Sequence, residues 1–330
     1  MQTTPKVSEQ KESPRFLNKS VLQEIKAIYA TASTVSFPER IDELIHLIET
    51  TELNAIVVNI KDGDGVYLTQ GMANLAHRLK EKNIYSIARI VVFQDNSLAR
   101  QRPDLALKTK DGQLWSGKGY YWVDPASQEA WQYNTEVAIR ALDLGFQEIN
   151  FDYIRFPSDG DISEIIYPIY DGITLKEKII NDSLKYLTFR IKIAHPQAVL
   201  SIDLFAYSFL VDNDLNVGQR LIKVTPYFDI IVPMIYPSHY TPGNFGFENP
   251  ALEPYQVVFK TLTCGKEILK QAGQNNVVIR PWIQAFNIGA IYTPQMIREE
   301  IRAISDVGLK YGWMVWNPAN IYDSEAFLKE

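Results

Sequence analysis

Residues 128–157 read QEAWQYNTEVAIRALDLGFQEINFDYIRFP. They hold one repeat of the architecture. Gln128–Leu144 has the amphipathic spacing of a helix. Glu148–Asp152 follows as a short, almost continuous apolar run, the pattern of a parallel strand covered on both faces. Polar residues then gather where the strand ends: Asn150, Asp152 and Arg155.

The same unit recurs in both directions. Strand-like runs are found at Ile25–Ala30, Ala55–Ile60, Ile84–Val92, Glu148–Asp152, Val199–Leu204, Ile230–Ile235, Val277–Ile283 and Gly312–Trp316. Helical stretches lie between them at Glu39–Thr50, Ala73–Lys82, Gln128–Leu144, Leu175–Ala194, Val217–Val224, Gln256–Gln271 and Pro294–Asp306, with a short last one at Ser324–Lys329. Pro38 and Pro294 suit helix starts, with Ser36 and Thr293 as caps. Strand and helix alternating through eight strands predicts an α/β protein with a closed (β/α)8 TIM barrel, one domain over residues 24–330. An open doubly wound sheet shares the alternation. It is disfavoured by the count and by Thr31-Ala32-Ser33, which carries no Gly-rich phosphate turn after the first strand. Three βα connections exceed what a barrel needs: Asn96–Pro125 after strand 3, Phe156–Thr174 after strand 4 and Pro237–Pro254 after strand 6. All three are rich in aromatics, and barrel enzymes build their sites from such loops.

Composition narrows the function. With 46% hydrophobic and 22% charged residues, the 330-residue chain is globular in type. Its 33 Lys and Arg against 39 Asp and Glu leave a formal charge of −6, which argues against nucleic acid as the main partner. Cys264 is the one cysteine, so an intrachain disulfide and a Cys-rich zinc site are excluded. No run reaches about 18 apolar residues, so no transmembrane helix is expected. Residues 1–23 read as a flexible polar leader without the apolar core of a signal peptide. That fits a cytoplasmic chain as written, or an exported or anchored one from which a segment has been removed. The oligomeric state is left open.

Strand ends carry the chemistry. Asn150 and Asp152 share one face of strand 4, and Ser201 and Asp203 share one face of strand 5. Two carboxylates on neighbouring strands suit glycoside hydrolysis: one attacks or stabilises an oxocarbenium-like centre, and the other protonates the leaving oxygen. Structural pairing of Asp152 with Arg155 or Lys61 is the bland alternative. Lys61, Arg89 and Arg155 are candidates for orienting carboxylates or binding acidic sugars, and Asp62 for holding sugar hydroxyls. Tyr236, Trp282 and Trp316, with Gln284 and His239 beside them, form a candidate sugar platform, since CH groups stack on aromatics while amides hold hydroxyls. Lys61 also invites a Schiff-base reading. No metal or other cofactor is expected: the histidines lack metal spacing, and Asp62-Gly63-Asp64-Gly65 lacks the remaining oxygen ligands of a calcium loop.

Six blocks bring a family into view. Tyr29-Ala30-Thr31, Asn59-Ile60-Lys61-Asp62, residues 88–93 (ARIVVF), residues 150–157 (NFDYIRFP), residues 233–240 (PMIYPSHY) and residues 312–317 (GWMVWN) fall in order along the chain. Together they resemble the glycoside hydrolase-like barrel family known as DUF4015, over about Ile25 to Tyr322. The fourth and fifth blocks are the specific ones. The family is distantly similar to retaining α-glycosidase barrels, which place an Asp nucleophile at the end of strand 4. The resemblance implies that role for Asp152, and makes Asp203 the best match to an acid/base on a later strand. Its strand-2 motif reads Asp-x-Lys, from which Asn59 departs.

The expected activity is therefore a glycosidase acting on a polysaccharide or cell-envelope glycan, with Asp152 and Asp203 catalytic. A non-catalytic carbohydrate-binding barrel is the alternative, and a Lys61-dependent lyase or aldolase the third reading.

Overall fold

The computed structural model describes residues 22–329. Its strands are β1 (Ile25–Ala30), β2 (Ala55–Lys61), β3 (Tyr85–Val91), β4 (Glu148–Asp152), β5 (Val199–Phe205), β6 (Ile230–Met234), β7 (Trp282–Gln284) and β8 (Gly312–Trp316). They pair in parallel, each with its sequence neighbours, and β1 returns to β8 to close the barrel. The closing register sets Ile25 opposite Gly312. Gly312 has φ +82°, and a Cβ there would run into the Ile25 backbone, so only glycine permits this seam.

Outside the barrel lie α1 (Pro38–Glu49), α2 (Gln70–Glu81), α3 (Gln128–Asp143), α4 (Lys176–Ala194), α5 (Leu221–Val224), α6 (Pro254–Gln271) and α7 (Pro294–Asp306). Among the described residues no helix is long and apolar enough to cross a membrane. Thr293 caps α7 as expected, accepting from the Met296 N–H. Ser36 does not cap α1. A short extra helix, Ala32–Ser36, ends there, and Phe37 takes the cap position.

Two helices are shorter than their sequences suggest. The expected Val217–Val224 helix begins only at Leu221. Gly218 is left-handed at φ +86°. The Gln219 amide is spent on backbone, bonding Ile154 O at 3.2 Å, Asp203 O at 3.3 Å and Phe205 N at 3.3 Å. The expected final helix is the single turn Ser324–Ala326. Beyond it Phe327 stacks on Trp313 with ring centroids 6.0 Å apart, and Lys329 bridges to Thr51. A groove of about 350 Å³ lies between α1 and this C-terminal segment, lined by Arg40, Leu44, Leu47, Asn320 and Tyr322 among others.

The hydrophobic core has two shells. One fills the space between strands and helices. The other fills the barrel with Ala27, Tyr29, Val57, Ile87, Val232, Trp282 and Met314 among others, and Leu22 packs against it. The leader expected over 1–23 otherwise lies outside the described residues. A charged floor interrupts the inner shell. Arg280 Nη1 donates to both oxygens of Glu148, at 3.0 and 2.9 Å, and both residues are fully buried. Ser201 and Tyr85 hydroxyls donate to the same carboxylate at 2.6 and 3.3 Å.

The loops after β3 and β4 are joined into one rim. Buried Asp124 accepts the N–H groups of Ile169 and Tyr170, each at 2.8 Å. Lys108 and Ile166 exchange backbone bonds of 3.1 and 2.7 Å, and the Trp115 indole donates to Asp161 O at 2.9 Å. Phe156, Tyr167 and Tyr170 pack together in this rim, Tyr170 edge to face with both of the others.

Candidate active site

Period two along β4 and β5 turns Asn150, Asp152, Ser201 and Asp203 into the barrel, and the β4–β5 register pairs Asn150 with Ser201. Both aspartates reach the C-terminal mouth. They meet a single cation, Arg89 of β3. Its Nη2 forms a short ion pair with Asp152 Oδ2, and its Nε stands 3.9 Å from Asp203 Oδ2.

The two carboxyls have different surroundings. Asp152 accepts the Tyr153 N–H at 2.6 Å as well as the Arg89 bond. Tyr153 is left-handed at φ +54°, an uncommon conformation for an aromatic residue, and this turn brings its N–H round to the Asp152 carboxylate. Asp203 is 1% exposed. Its Oδ1 accepts neutral donors, Asn150 Nδ2 at 2.8 Å and Trp282 Nε1 at 2.9 Å. Among the described residues its Oδ2 has no hydrogen-bond partner. Burial first, and the Asp152 charge second, push the Asp203 carboxyl well above the usual carboxylate range.

An aromatic wall flanks the carboxyls. The Tyr236 ring lies 5.2 Å from Trp316, 5.6 Å from Phe286 and 5.4 Å from His239. Trp282 is not part of an open platform: it is buried, with its indole turned down onto Asp203 and its edge against Tyr29. Asp62 is half-buried in the loop after β2, accepting the Tyr67 hydroxyl and the Asp64 N–H, each at 2.9 Å.

Three expected site residues stand elsewhere. Lys61 is fully buried, its ammonium 2.8 Å from Asp95 and bonded to Val91 O. Strict alternation would set it beside Asn59 on the inner face. A register shift between Asn59 and Lys61 turns it out between β2 and β3 instead. An enclosed, ion-paired amine cannot meet a carbonyl, so borohydride treatment with carbonyl compounds is expected to leave no adduct at Lys61, checked by peptide mass mapping.

Arg155 does not touch Asp152. Its guanidinium is held in an aromatic sleeve, 4.4 Å from the Phe205 ring centroid, 5.0 Å from Tyr153 and 5.1 Å from Trp122. It donates to Phe156 O at 3.1 Å and Ser158 Oγ at 3.2 Å. Buried and spent on the loop after β4, it has no face for an acidic sugar.

Gln284 is also occupied. Its amide accepts from Ser238 N at 3.1 Å and donates to Phe286 O at 2.8 Å, tying the loop after β6 to that after β7. Its own N–H goes to Glu300 Oε2 at 3.0 Å, and Tyr292 OH donates to Glu300 Oε1 at 2.5 Å. Glu300 is fully buried, and burial raises its carboxyl well above the usual range. The folded state therefore holds this proton more tightly than the unfolded one. The stability this gives is complete below the unfolded pKa of about 4.3 and is lost as pH rises towards the folded value. Glu300→Gln should flatten that loss, so urea midpoints of variant and wild type should diverge in the variant's favour between pH 5 and pH 8.

Sequence reasoning gave no role to Tyr29, Tyr153 or Phe286. Tyr29 could have been found: it is a polar-tipped aromatic ending a buried strand on its inner face. Tyr153 and Phe286 carry no such pattern, because their positions depend on turns.

The family model described as "Putative glycosyl hydrolase domain", DUF4015, matches residues 27–322. The chain belongs to the DUF4015 family. Comparison with curated proteins finds no match. The DUF4015 barrel is similar to the PgaB (BpsB) glycoside hydrolase domain from Bordetella bronchiseptica, with a TM-score of 0.66 and 14% identity over 92% of this chain and 97% of that one. It is similar to TtGalA, an alpha-galactosidase from Thermus thermophilus solved with p-nitrophenyl alpha-D-galactopyranoside, with a TM-score of 0.56 and 13% identity. That match covers 95% of this chain and 61% of TtGalA. A hypothetical protein from Ruminiclostridium thermocellum shares 33% identity over 53% of this chain and 96% of that one, with a TM-score of 0.47. The PgaB and TtGalA likenesses show a common barrel fold.

Proposed function

We propose that this DUF4015 barrel is a glycoside hydrolase cutting a polysaccharide or cell-envelope glycan, with Asp152 as nucleophile or charge stabiliser and Asp203 as general acid/base. The observation that carries the reading is the contrast between two carboxyls sharing one guanidinium. Asp152 faces the cation directly, while Asp203 is buried among neutral donors and favours its protonated form. A carboxyl whose burial favours its proton, beside one paired with a cation, supplies an acid and a base in one site. Asp203 would give its proton to the leaving glycosidic oxygen. Asp152 would meet the positive charge developing at the anomeric carbon. Half-buried Trp316, backed by the buried Tyr236 and Phe286 rings, would stack the sugar, with His239 and Asp62 reaching hydroxyls at the rim.

The test is a screen of polysaccharides and cell-envelope glycans with detection of new reducing ends. Cleavage of one of them supports the reading. The near-complete burial of Asp203 favours one competitor, a non-catalytic glycan-binding barrel. A glycan that binds tightly and is recovered uncut at every pH would establish that competitor instead.

A further inference from the structure

Three groups compete for Arg89. Nη2 meets Asp152, Nε faces Asp203 Oδ2 at 3.9 Å, and Nη1 donates to Asn59 Oδ1 at 2.8 Å. Asn59 is fixed in turn: its Nδ2 donates to Tyr29 OH at 2.7 Å, and the side chain is buried. A guanidinium is planar and forked, so anchoring one arm fixes where the others point. Asn59 provides that anchor without carrying charge.

We propose that Asn59 is a positioning residue whose amide holds Arg89 against Asp152 and leaves Asp203 the smaller share of the cation. The catalytic meaning of this division rests on the hydrolase reading; the division itself does not. The 3.9 Å from Nε to Asp203 Oδ2 is too long for a hydrogen bond. That oxygen is the one left without a partner among the described residues.

The titratable and charged groups around the pair are Tyr29 from β1, Asp62 after β2, Arg89 from β3, Asp152, Tyr153 and Arg155 from β4 and its loop, Asp203 from β5, and Tyr236 and His239 after β6, the His239 imidazole being held low by burial. Burial raises the Tyr29, Tyr153 and Tyr236 phenols, so they stay neutral and leave the balance to the carboxyls and Arg89. Arg155 is committed to its aromatic sleeve.

Two substitutions push the balance in opposite directions. Asn59→Asp keeps an acceptor for Arg89 but adds a negative charge. The cation is drawn from Asp152, and Asp203 gains a like-charged neighbour, so Asp203 should hold its proton to higher pH. Asn59→Leu keeps the branched shape, though it is bulkier, and frees Nη1. The guanidinium can then turn towards Asp203, which should lose its proton at lower pH.

The Trp282 indole N–H, 2.9 Å from Asp203 Oδ1, is a built-in reporter. The experiment follows its ¹⁵N–¹H resonance from pH 4 to pH 9 in the wild type and both variants, with Trp282→Phe used to assign the peak. The wild-type inflection should lie above the ordinary carboxylate range. It should rise in Asn59→Asp and fall in Asn59→Leu, each by roughly one pH unit. Either variant that folds decides the matter alone. A wild-type resonance with no inflection overturns the proposal, and so does an inflection that stays put in a folded variant. No glycan enters the measurement, so its failure is distinct from failure of the hydrolase reading.

Discussion

Asp152→Asn is expected to reduce glycan turnover by about a thousandfold or more, with the barrel still folded. The change is nearly isosteric. The amide oxygen can still accept the Tyr153 N–H, now 2.6 Å from Asp152 Oδ1, so the left-handed turn keeps its anchor. Arg89 loses its ion pair but keeps Asn59, with Asp203 close by. Loss of one charge-assisted bond costs about 2 kcal/mol. A neutral amide can neither attack the anomeric carbon nor balance its developing charge. A thousandfold loss corresponds to about 4 kcal/mol in the transition state, which is the scale of such electrostatic effects. Reducing-end release and thermal melting, measured side by side, check both halves. Normal turnover would remove Asp152 from the mechanism. A deep loss of melting temperature with little further catalytic defect would make it a structural residue.

The largest loss of stability is expected from the barrel floor. Arg280→Met leaves Glu148 fully buried without its cation, retaining the Ser201 and Tyr85 hydroxyls as donors. Breaking one side of a buried pair costs about 3–5 kcal/mol, because the remaining charge is uncompensated. Replacing both partners, as in Glu148→Leu with Arg280→Met, should recover much of that loss. Urea unfolding of the wild type, the two single variants and the double variant measures the coupling. A single-variant loss below about 1 kcal/mol would mean that water or neighbouring dipoles already reach the floor.

The parts of the fold legible in the sequence were those governed by periodicity. Glu148–Asp152 and Gly312–Trp316 read as apolar runs and are strands with those bounds. The positions of Asp152 and Asp203 on one face of adjacent strands followed from alternation alone. What could not be read depended on departures from a period. The irregularity at Asn59/Lys61 sends Lys61 out of the mouth, and nothing in the residue types announces it. The choice of Arg89 over Arg155 as partner of Asp152 is tertiary. Arg155 is nearer in sequence, but the turn at Tyr153 carries it into a cage with Trp122 from one loop and Phe205 from another strand. Gln284 had the residue type of a sugar ligand, and only the packing of two loops shows that its amide is already occupied.

The β1–β8 seam bears on how such a chain comes to be folded. Ile25 and Gly312 face each other across the seam, with the Ile25 N–H donating to Tyr311 O at 3.3 Å, yet they lie far apart in the sequence. Until β8 has been made, β1 has no partner on that side and the barrel cannot close. Glu148 likewise waits through more than a hundred residues for Arg280. Contacts this distant in sequence carry a large loop-closure entropy, which slows folding and prolongs exposure of that edge to other chains. Inward-pointing charges such as Glu148 and Arg280 are expected to make such an unclosed face less apt to stick to another copy of itself.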